Sequence, residues 1–225
     1  MNRYLATGAR ALEPIAVREF EQLEATNDSM NQPSPEKSMR ERMLAGELYI
    51  AFDPELSEMR LRAERLTHRF NALPPDALQQ RKFLIQDLFG SIQGNFEVKS
   101  PFHCDYGCHI LAGERLFINY DCVIIDCNFV RFGDRVLLGP KVQIYTAGHP
   151  LEPTQRKGDW EFALPIEIGD DVWIGGGAIV CPGVKIGAGT TIGAGSVVTR
   201  DLPPRVVAAG NPCRIIRKLD KNDRK

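Results

Sequence analysis

The sequence predicts a mainly β protein whose strands stack as successive coils of a parallel β-helix, with an α-helical segment before it and a short helix after it. Two observations carry this prediction. Aliphatic residues recur at every sixth position over much of the second half, and amphipathic helical patterns fill the stretch before it. The 225 residues include 28 basic and 29 acidic side chains and are 43% hydrophobic. This composition is typical of a folded protein. The balanced charge lacks the excess of basic residues that indicates binding to nucleic acid or an anionic membrane.

The six-residue repeat is clearest between residues 168 and 198. Every sixth residue there is β-branched and aliphatic: Ile168, Ile174, Val180, Ile186, Ile192 and Val198. Glycine directly follows four of them: Gly169, Gly175, Gly187 and Gly193. A period of six matches neither the turn of an α-helix nor the alternation of a flat strand. It fits strands that turn a corner every six residues, so that three edges close one triangular coil. We expect the glycines at corners that are tight or need a positive φ.

Two shorter runs extend the repeat upstream, and an insertion interrupts it. The runs are Ala112, Ile118, Ile124 and then Phe132, Leu138, Ile144. The register slips by two residues between them, which we interpret as a bulge at Asp126–Asn128. After Ile144 the repeat breaks into a polar stretch that contains His149. Repeat folds accept such insertions as loops on one face, and these loops often carry functional residues.

The first half of the chain divides into two regions. Residues 1–35 end in a polar, proline-containing stretch, and we expect an extension or linker that is partly disordered. Residues 36–93 show the apolar spacing of three helices. Ser34 or Ser38 is expected to cap the first, and Gly90 to close the third. Each helix has one apolar face, so the segment is expected to dock on the β-helix.

The second half is assigned to the β-helix and a tail. Residues 94–202 are expected to form the coils, with a protruding loop at 145–165. Residues 203–225 form the tail. Within it, basic and apolar residues from Cys213 to Leu219 have helical spacing. We therefore expect a short C-terminal helix that folds back and caps the last coil.

The expected location is the cytoplasm. Met1 to Arg10 lack the apolar core of a secretory leader, and acidic residues follow soon after. The stretch from Val172 to Thr199 is nearly uncharged, but its eight glycines argue against a membrane span. Six cysteines, none in a CxxC pair, are expected to be buried, reduced thiols.

Five short motifs resemble the maltose and galactoside O-acetyltransferases of the hexapeptide-repeat acyltransferase superfamily. They are MLAGELY at 43–49, FHCDYG at 102–107, GHP at 148–150, VWIG at 172–175 and GNPCR at 210–214. The resemblance runs from about Met39 to Leu219. It implies a left-handed parallel β-helix and a homotrimer with active sites between subunits. It also implies acetyl transfer from acetyl-CoA to a sugar hydroxyl, commonly at C6, with no metal.

The resemblance assigns catalytic roles to two residues. His149 matches the family's catalytic histidine, which takes the proton of the acceptor hydroxyl as its oxygen attacks the thioester directly. Histidine suits this step because its usual pKa is near 7. Asn119 matches a residue near the acetyl group and the acceptor. The residues alone leave open that His149 is an ordinary loop histidine and that Asn119 only shapes a corner.

Substrate-binding roles are implied for three acidic residues. Asp105 falls where maltose enzymes carry Asp, and its carboxylate would accept hydrogen bonds from sugar hydroxyls. A turn or cap before Gly107 is the alternative role for Asp105. Asp126 and Cys127 align near an acidic substrate contact, with cysteine at the second position. Asp53 is the acidic residue through which the helical segment would contact the sugar.

Acetyl-CoA is expected to lie along coil corners, where small residues let it approach the backbone. The matching positions are Gly176, Ala194, Thr199, Arg200, Arg214 and Arg217. Gly176 would offer its N–H to the developing oxyanion. Arg214 and Arg217, three apart on a helix face, suit phosphate groups, although a solvated basic face remains open.

Three other functions are alternatives to sugar acetylation. Related acetyltransferases act on serine, antibiotics or amino-sugar oligosaccharides, and they share the fold and chemistry. A zinc enzyme of the carbonic-anhydrase type would need three converging histidines, and the spacing of the four histidines here does not match. A non-catalytic β-helix scaffold is disfavoured by the intact GHP motif at 148–150.

Overall fold

The structure, a computed structural model, describes residues 37–220. The extension expected over 1–35 therefore lies outside the described residues. The described chain begins with α1 (Met39–Leu44), β1 (Tyr49–Ile50), α2 (Pro54–Ala72) and α3 (Leu78–Leu88). The three helices predicted between residues 36 and 93 are thus present.

Side-chain caps explain where α1 and α2 begin. Ser38 accepts a hydrogen bond from the Glu41 amide, and the Glu41 side chain accepts one from the Ser38 amide, which forms a capping box. Asp53 caps α2 in front of Pro54, whose fixed φ suits the first helical position. Gly90 follows α3, where an added Cβ would lie 2.1 Å from the carbonyl oxygen of Cys108.

Five complete coils of a parallel β-helix follow, each built from three strands. The first three coils are β2 (Ser91–Gln93), β3 (Glu97–Val98), β4 (Phe102–Cys104); β5 (Ile110–Glu114), β6 (Phe117–Ile118), β7 (Cys122–Ile125); and β8 (Val130–Phe132), β9 (Leu137–Leu138), β10 (Gln143–Tyr145). The insertion contains β11 (Ala147–Gly148), α4 (Pro153–Arg156) and β12 (Trp160–Ala163). The last strands are β13 (Ile166–Ile168), β14 (Trp173–Ile174), β15 (Ile179–Val180), β16 (Lys185–Ile186), β17 (Thr191–Ile192), β18 (Val197–Val198), β19 (Val206–Ala209) and β20 (Arg214–Lys218).

Equivalent strands of successive coils pair in parallel and form three flat faces. On the second face, Ile118 pairs with Leu138, which pairs with Ile174 and then with Ile192. All four side chains are buried, so each aliphatic residue stacks on the one in the coil below. The mainly β fold and the six-residue stacking predicted from the sequence are confirmed. Parallel pairing begins at β2 and reaches β19.

Glycines serve the corners in two different ways. Gly175, directly after an aliphatic residue, does not have a positive φ. A Cβ there would lie 2.5 Å from the amide nitrogen of Ala194 in the next coil, so close coil stacking requires glycine. Gly177 has φ +69° with open space around it, so its requirement is conformational. The sequence predicts either a tight corner or a positive φ for the glycines that follow the aliphatic residues. Gly175 lies at a tight corner.

The register slip between Ile124 and Phe132 enlarges a corner. The strand β7 ends at Ile125 and pairs regularly with β4 and β10, so no bulge interrupts it. The extra residues lie in the turn before β8, where Asp126 and Asn128 are buried. The predicted bulge is therefore a widened turn, because its polar side chains bond backbone groups inside the protein.

The C-terminal segment is a strand, and the predicted C-terminal helix is wrong. Residues 214–218 form β20, which pairs antiparallel with β19. Ile215 and Ile216 are β-branched, and such residues favour a strand where an edge is available for pairing. The exposed edge of β19 supplies that pairing, and Gly210, with φ +104°, lies in the intervening turn.

The helical segment closes one end of the β-helix. Leu66, Phe70, Ile85 and Leu88 are buried and share one apolar core with the coils. A second cluster joins Met43, Tyr49 and Leu56 to Tyr106, Cys127 and Ala163. The segment therefore packs on the widened corner and the insertion as well as on the first coil. No helix between residues 37 and 220 has the length and apolar character needed to cross a membrane.

Candidate active site

Two edges of the triangular β-helix carry most of the candidate site residues. We call the turns between the second and third strands of each coil corner I, which comprises 119–121, 139–141, 175–177 and 193–195. We call the turns after the third strands corner II, which comprises 105–109, 126–129, 146–165, 181–184 and 199–201. Corner I brings together Asn119, Gly176 and Ala194. Corner II holds Asp105, Asp126, His149, Thr199 and Arg200.

Corner I presents backbone groups along a line of small residues. The Gly177 amide donates to the carbonyl oxygen of Pro140 at 2.8 Å, and the Gly195 amide donates to that of Gly176 at 2.9 Å. The Gly176 N–H has no acceptor within residues 37–220. Because Gly176 and Ala194 carry little or no side chain, a ligand can reach this backbone. The free N–H is a suitable donor for a developing oxyanion.

Asn119 lies at the start of the same edge. Its side-chain oxygen accepts a hydrogen bond of 2.8 Å from the Tyr120 amide. The side-chain NH₂ group donates to nothing else in the described part of the chain. One end of Asn119 therefore shapes the corner, as its sequence position predicts, while the donor end is available to a ligand.

The insertion at corner II carries His149 on a hairpin. β11 pairs antiparallel with β12, and β12 pairs antiparallel with β1 of the helical segment. His149 directly follows β11 and is exposed. Its ring makes no hydrogen bond to any residue that the structure describes. The helical segment thus supports the hairpin that presents this imidazole to solvent.

Asp126 is an anchor and not a surface carboxylate. Its side chain is 0% exposed, and it accepts hydrogen bonds from the amides of Asp105 at 3.1 Å, Tyr106 at 2.9 Å and His109 at 3.3 Å. Burial raises the pKa of Asp126 to about 7, although the amides of Tyr106, Gly107 and His109 oppose the shift. The predicted sugar contact is not available to a side chain without exposed surface. Asp126 instead fixes the turn that holds Asp105.

Asp105 lies in this turn and is half-buried. The Cys127 thiol donates to its Oδ2 atom at 3.4 Å. Burial raises the pKa of Asp105, while the Cys127 thiol and the nearby Arg60 guanidinium lower it. Arg60 itself donates to the Tyr106 hydroxyl at 2.7 Å and to the Ala51 carbonyl oxygen at 2.5 Å. The helical segment therefore places a fixed positive charge beside Asp105.

Glu161 is a second acidic residue close to Asp105, and sequence reasoning missed it. It accepts a hydrogen bond of 3.0 Å from the hydroxyl of the buried Tyr49. Its charge acts on Asp105 and raises the pKa of that carboxyl. The signal was weak because Glu161 stands in the polar insertion with no repeat to mark it. Only the pairing of β1 with β12, which sets Tyr49 opposite Glu161, reveals the contact.

Arg214 and Arg217 lie on β20 beside the last turn of corner I. Arg214 is opposite Ala209 and Arg217 opposite Val207, and the register shift between them leaves Ile216 as the extra residue. Ala209 and Val207 are the outward-facing residues of β19. The bulge therefore aligns both arginines on one outward face, although they do not lie on a helix.

Comparison with known proteins identifies the family. A family model described as the maltose acetyltransferase hexapeptide capping motif matches residues 42–94, and one for the bacterial transferase hexapeptide matches residues 165–200. The galactoside O-acetyltransferase of Escherichia coli is 40% identical over 195 residues, which cover 87% of this chain and 94% of that protein. The chain belongs to the galactoside and maltose O-acetyltransferase family. Nodulation protein L of Rhizobium meliloti is 44% identical over 80% of this chain and 98% of its own length.

Solved structures of similar acetyltransferases share the fold. A maltose O-acetyltransferase from Clostridium difficile 630 has a TM-score of 0.81 and 45% identity, covering 82% of this chain and 99% of that one. A galactoside acetyltransferase in complex with coenzyme A has a TM-score of 0.81 and 40% identity, covering 83% and 94%. A Vibrio cholerae hexapeptide-repeat acetyltransferase complexed with acetyl-CoA has a TM-score of 0.76 and 39% identity, covering 82% and 100%.

One chain of this acetyltransferase places its candidate catalytic residues at different edges. Asn119 stands where the third strand of its coil begins, and the hairpin with His149 leaves where such a strand ends. About five residues of extended chain separate these two edges, or roughly 16 Å. Within the described chain, no cluster of three or more His, Cys, Asp or Glu side chains is arranged to hold a metal ion.

Asp53 lies apart from both corners, in the turn between β1 and α2. Its Oδ1 atom accepts hydrogen bonds from the amides of Glu55 at 2.9 Å and Leu56 at 3.4 Å. This capping role accounts for an Asp directly before Pro54. The other carboxylate oxygen bonds nothing in residues 37–220, so Asp53 keeps one acceptor for a ligand.

Proposed function

We propose that this acetyltransferase moves the acetyl group of acetyl-CoA to the C6 hydroxyl of a small sugar such as maltose, glucose or a galactoside. Two neighbouring carboxylates, Asp105 and Glu161, lie next to the hairpin that carries His149, and this is the observation that supports this acceptor class. Carboxylates are strong hydrogen-bond acceptors for the many hydroxyl donors of a sugar. Asp53 would supply a further acceptor from the helical segment.

His149 is the general base of the proposed reaction. Its imidazole takes the proton of the acceptor hydroxyl while that oxygen attacks the thioester carbonyl carbon. The new C–O bond forms as the carbonyl becomes an oxyanion, and collapse of this intermediate breaks the C–S bond. The protonated imidazole then returns the proton to the CoA thiolate. Asn119 orients the acetyl group and acceptor, and the free Gly176 N–H stabilises the oxyanion.

Acetyl-CoA is proposed to extend along the corners toward β20. Gly176 and Ala194 leave the backbone of corner I accessible, and Thr199 and Arg200 lie at corner II. Arg214 and Arg217 share the outward face next to Ala209 and Val207. Two guanidinium groups on one face suit the phosphates of CoA, because each can bind a phosphate in a bidentate manner.

A homotrimer would complete the site. Corner I of one subunit would meet corner II of a neighbour, which brings Asn119 and His149 together across the interface. The second face supports this arrangement, because Leu137 and Trp173 pair side by side and Trp173 is 53% exposed. A second copy of the chain would cover these apolar side chains. All six cysteines are free thiols, which suits the proposed cytoplasmic location.

The test is CoA release from acetyl-CoA by the purified protein. The acceptors are maltose, glucose, a galactoside, a chitooligosaccharide, serine and chloramphenicol, each tested separately. Turnover with the neutral sugars alone supports the proposal, and product analysis then identifies the acetylated hydroxyl. Turnover only with serine, chloramphenicol or the chitooligosaccharide overturns the acceptor class. Absence of acetyl-CoA binding would instead favour a non-catalytic scaffold.

A further inference from the structure

We propose that Cys127 is a positioning residue that orients Asp105 for the acceptor, so that the thiol contributes to acceptor affinity without touching the sugar. This inference rests on the proposed function, since it concerns the carboxylates that would bind the acceptor. The resemblance aligns Asp126 and Cys127 near an acidic substrate contact, and Cys127 here takes an indirect role beside it.

The geometry at Asp105 gives its two oxygens different roles. Oδ2 accepts the hydrogen bond from the Cys127 thiol at 3.4 Å. Oδ1 accepts no hydrogen bond from any residue between 37 and 220. The backbone of Asp105 is held separately, because its amide donates to Asp126 Oδ1 at 3.1 Å. Asp126 thus fixes the main chain of Asp105, and Cys127 fixes its carboxylate. Oδ1 of Asp105 is left for a ligand.

Cys127 also joins the helical segment to this carboxylate. Its side chain is 4% exposed and lies in one cluster with Tyr49 and Tyr106. The Tyr49 hydroxyl belongs to the same cluster as the thiol and donates to Glu161 at 3.0 Å. A continuous line of side chains therefore runs from Glu161 through Tyr49 and Cys127 to Asp105. The two acceptor-facing carboxylates are linked through a neutral thiol.

A neutral donor suits position 127 because several charges already surround it. Arg60 and Glu64 of α2, Glu161 of β12 and the Asp126 carboxyl all surround the Asp105–Cys127 pair. Another carboxylate at this position would repel Asp105 and favour its protonated form. A thiol instead donates a hydrogen bond to the ionised form, which is the form that accepts hydrogen bonds from a sugar.

The kinetic test compares Cys127→Ala, Cys127→Ser and Cys127→Asp with the unmodified protein, using the neutral sugar that it turns over best. We expect Cys127→Ala to raise the acceptor KM about fivefold to tenfold, the effect of one typical lost hydrogen bond. The KM for acetyl-CoA should stay unchanged and kcat within about twofold. Cys127→Ser should restore the acceptor KM, and Cys127→Asp should raise it further. Cys181→Ala is the matched control.

The pH dependence separates positioning from packing. Loss of the thiol donor raises the pKa of Asp105, so the acidic limb of acceptor kcat/KM should move to higher pH in Cys127→Ala. It should return in Cys127→Ser. Equal defects in Cys127→Ala and Cys127→Ser, or no effect in Cys127→Ala, would overturn the positioning role.

A titration without substrate distinguishes this inference from the proposed function. The carboxyl carbon of Asp105 is followed by carbon-13 NMR in the intact protein, with Asp105→Asn to assign its signal. A higher pKa in Cys127→Ala that returns in Cys127→Ser supports positioning even if no sugar is acetylated. Unchanged titration in a protein that does acetylate sugars overturns the inference and leaves the proposed function standing.

Discussion

The side-chain amide of Asn128 donates a hydrogen bond of 3.2 Å to the main-chain oxygen of Met43, across 85 positions of sequence. The same amide donates to the carbonyl oxygens of Leu44 at 3.3 Å and Ala163 at 2.9 Å. One buried side chain therefore ties the end of α1 and the end of β12 to corner II. The hairpin that carries His149 depends on this junction for its position.

Replacing Asn128 tests this junction directly. Asn128→Ala removes the donor to the carbonyl oxygens of Leu44 and Ala163, while the Met43 oxygen keeps the Gly46 amide. We therefore expect the free energy of unfolding to fall by about 2 to 3 kcal/mol. Urea unfolding at a fixed protein concentration measures the change, with exposed Asn95→Ala as the control. A loss no larger than that of the control would contradict the role of Asn128.

His149→Ala should lower kcat by roughly 10² to 10⁴ while acetyl-CoA affinity stays nearly intact. The imidazole would act only on the proton transferred from the acceptor hydroxyl in the transition state. Steady-state CoA release and direct acetyl-CoA titration measure the two quantities. His68→Ala, an exposed histidine on α2, is the matched control. Near-normal turnover without the imidazole would remove the general-base assignment.

Arg214→Ala and Arg217→Ala should each raise the KM for acetyl-CoA about fivefold to twentyfold, because each removes a charge-assisted contact to phosphate. The acceptor KM should not change. The effect should shrink with dephospho-CoA thioesters if one arginine binds the 3′-phosphate. Arg65→Ala provides a control from an exposed cation on α2. If both KM values rise together, these arginines do not serve the donor alone.

Asp126 makes folding stability depend on pH. Its folded pKa of about 7 lies above the ordinary value near 3.9, so the folded state binds the proton more tightly than the unfolded state. The free energy of unfolding should therefore fall as pH rises from about 4 to 7, by on the order of 4 kcal/mol, and level off above. Asp126→Asn should remove this slope. Denaturant unfolding between pH 4 and 8 provides the measurement. The same pH slope in the unmodified protein and in Asp126→Asn would show that Asp126 is not its source.

Two neighbouring glycines should respond differently to alanine. Gly175→Ala forces a Cβ against the backbone of the next coil, so we expect a loss of more than about 2 kcal/mol. Gly177→Ala meets no atom within 4 Å and keeps only the cost of a positive φ, about 1 kcal/mol. Gly195→Ala, with the same φ of +69° and open surroundings, should match Gly177→Ala. Equal losses at Gly175 and Gly177 would contradict the close stacking of coils.

The sequence predicts the repetitive parts of this protein well for a physical reason. Ile118, Leu138, Ile174 and Ile192 occupy equivalent places in successive coils, so one pattern read several times specifies the whole stack. Helix α1 is also predicted from a short stretch, with Ser34 or Ser38 as its cap, and the capping box of Ser38 and Glu41 lies within four consecutive residues. Local rules and the repeat agree in both cases, which makes the prediction robust.

The parts that the sequence predicts poorly depend on distant partners. The segment from Arg214 to Lys218 has a spacing compatible with a helix, and only the open edge of β19 makes it a strand. Asp126 and Glu161 are both acidic residues outside the six-residue repeat. Asp126 is buried and accepts hydrogen bonds from three amides, whereas Glu161 is half-buried and accepts one from the Tyr49 hydroxyl. Nothing within a few residues of either distinguishes them, because their partners lie about 20 or more positions away.

A stack of identical coils is a template that could add further strands indefinitely, from the same molecule or from another. The reversal of β20 along β19 ends this growth, since a strand running backwards breaks the parallel register that each new coil would copy. Its outer rim carries Arg214, Arg217 and Lys218 around the two isoleucines. Charge repulsion between such rims opposes the end-to-end joining of solenoids into fibres.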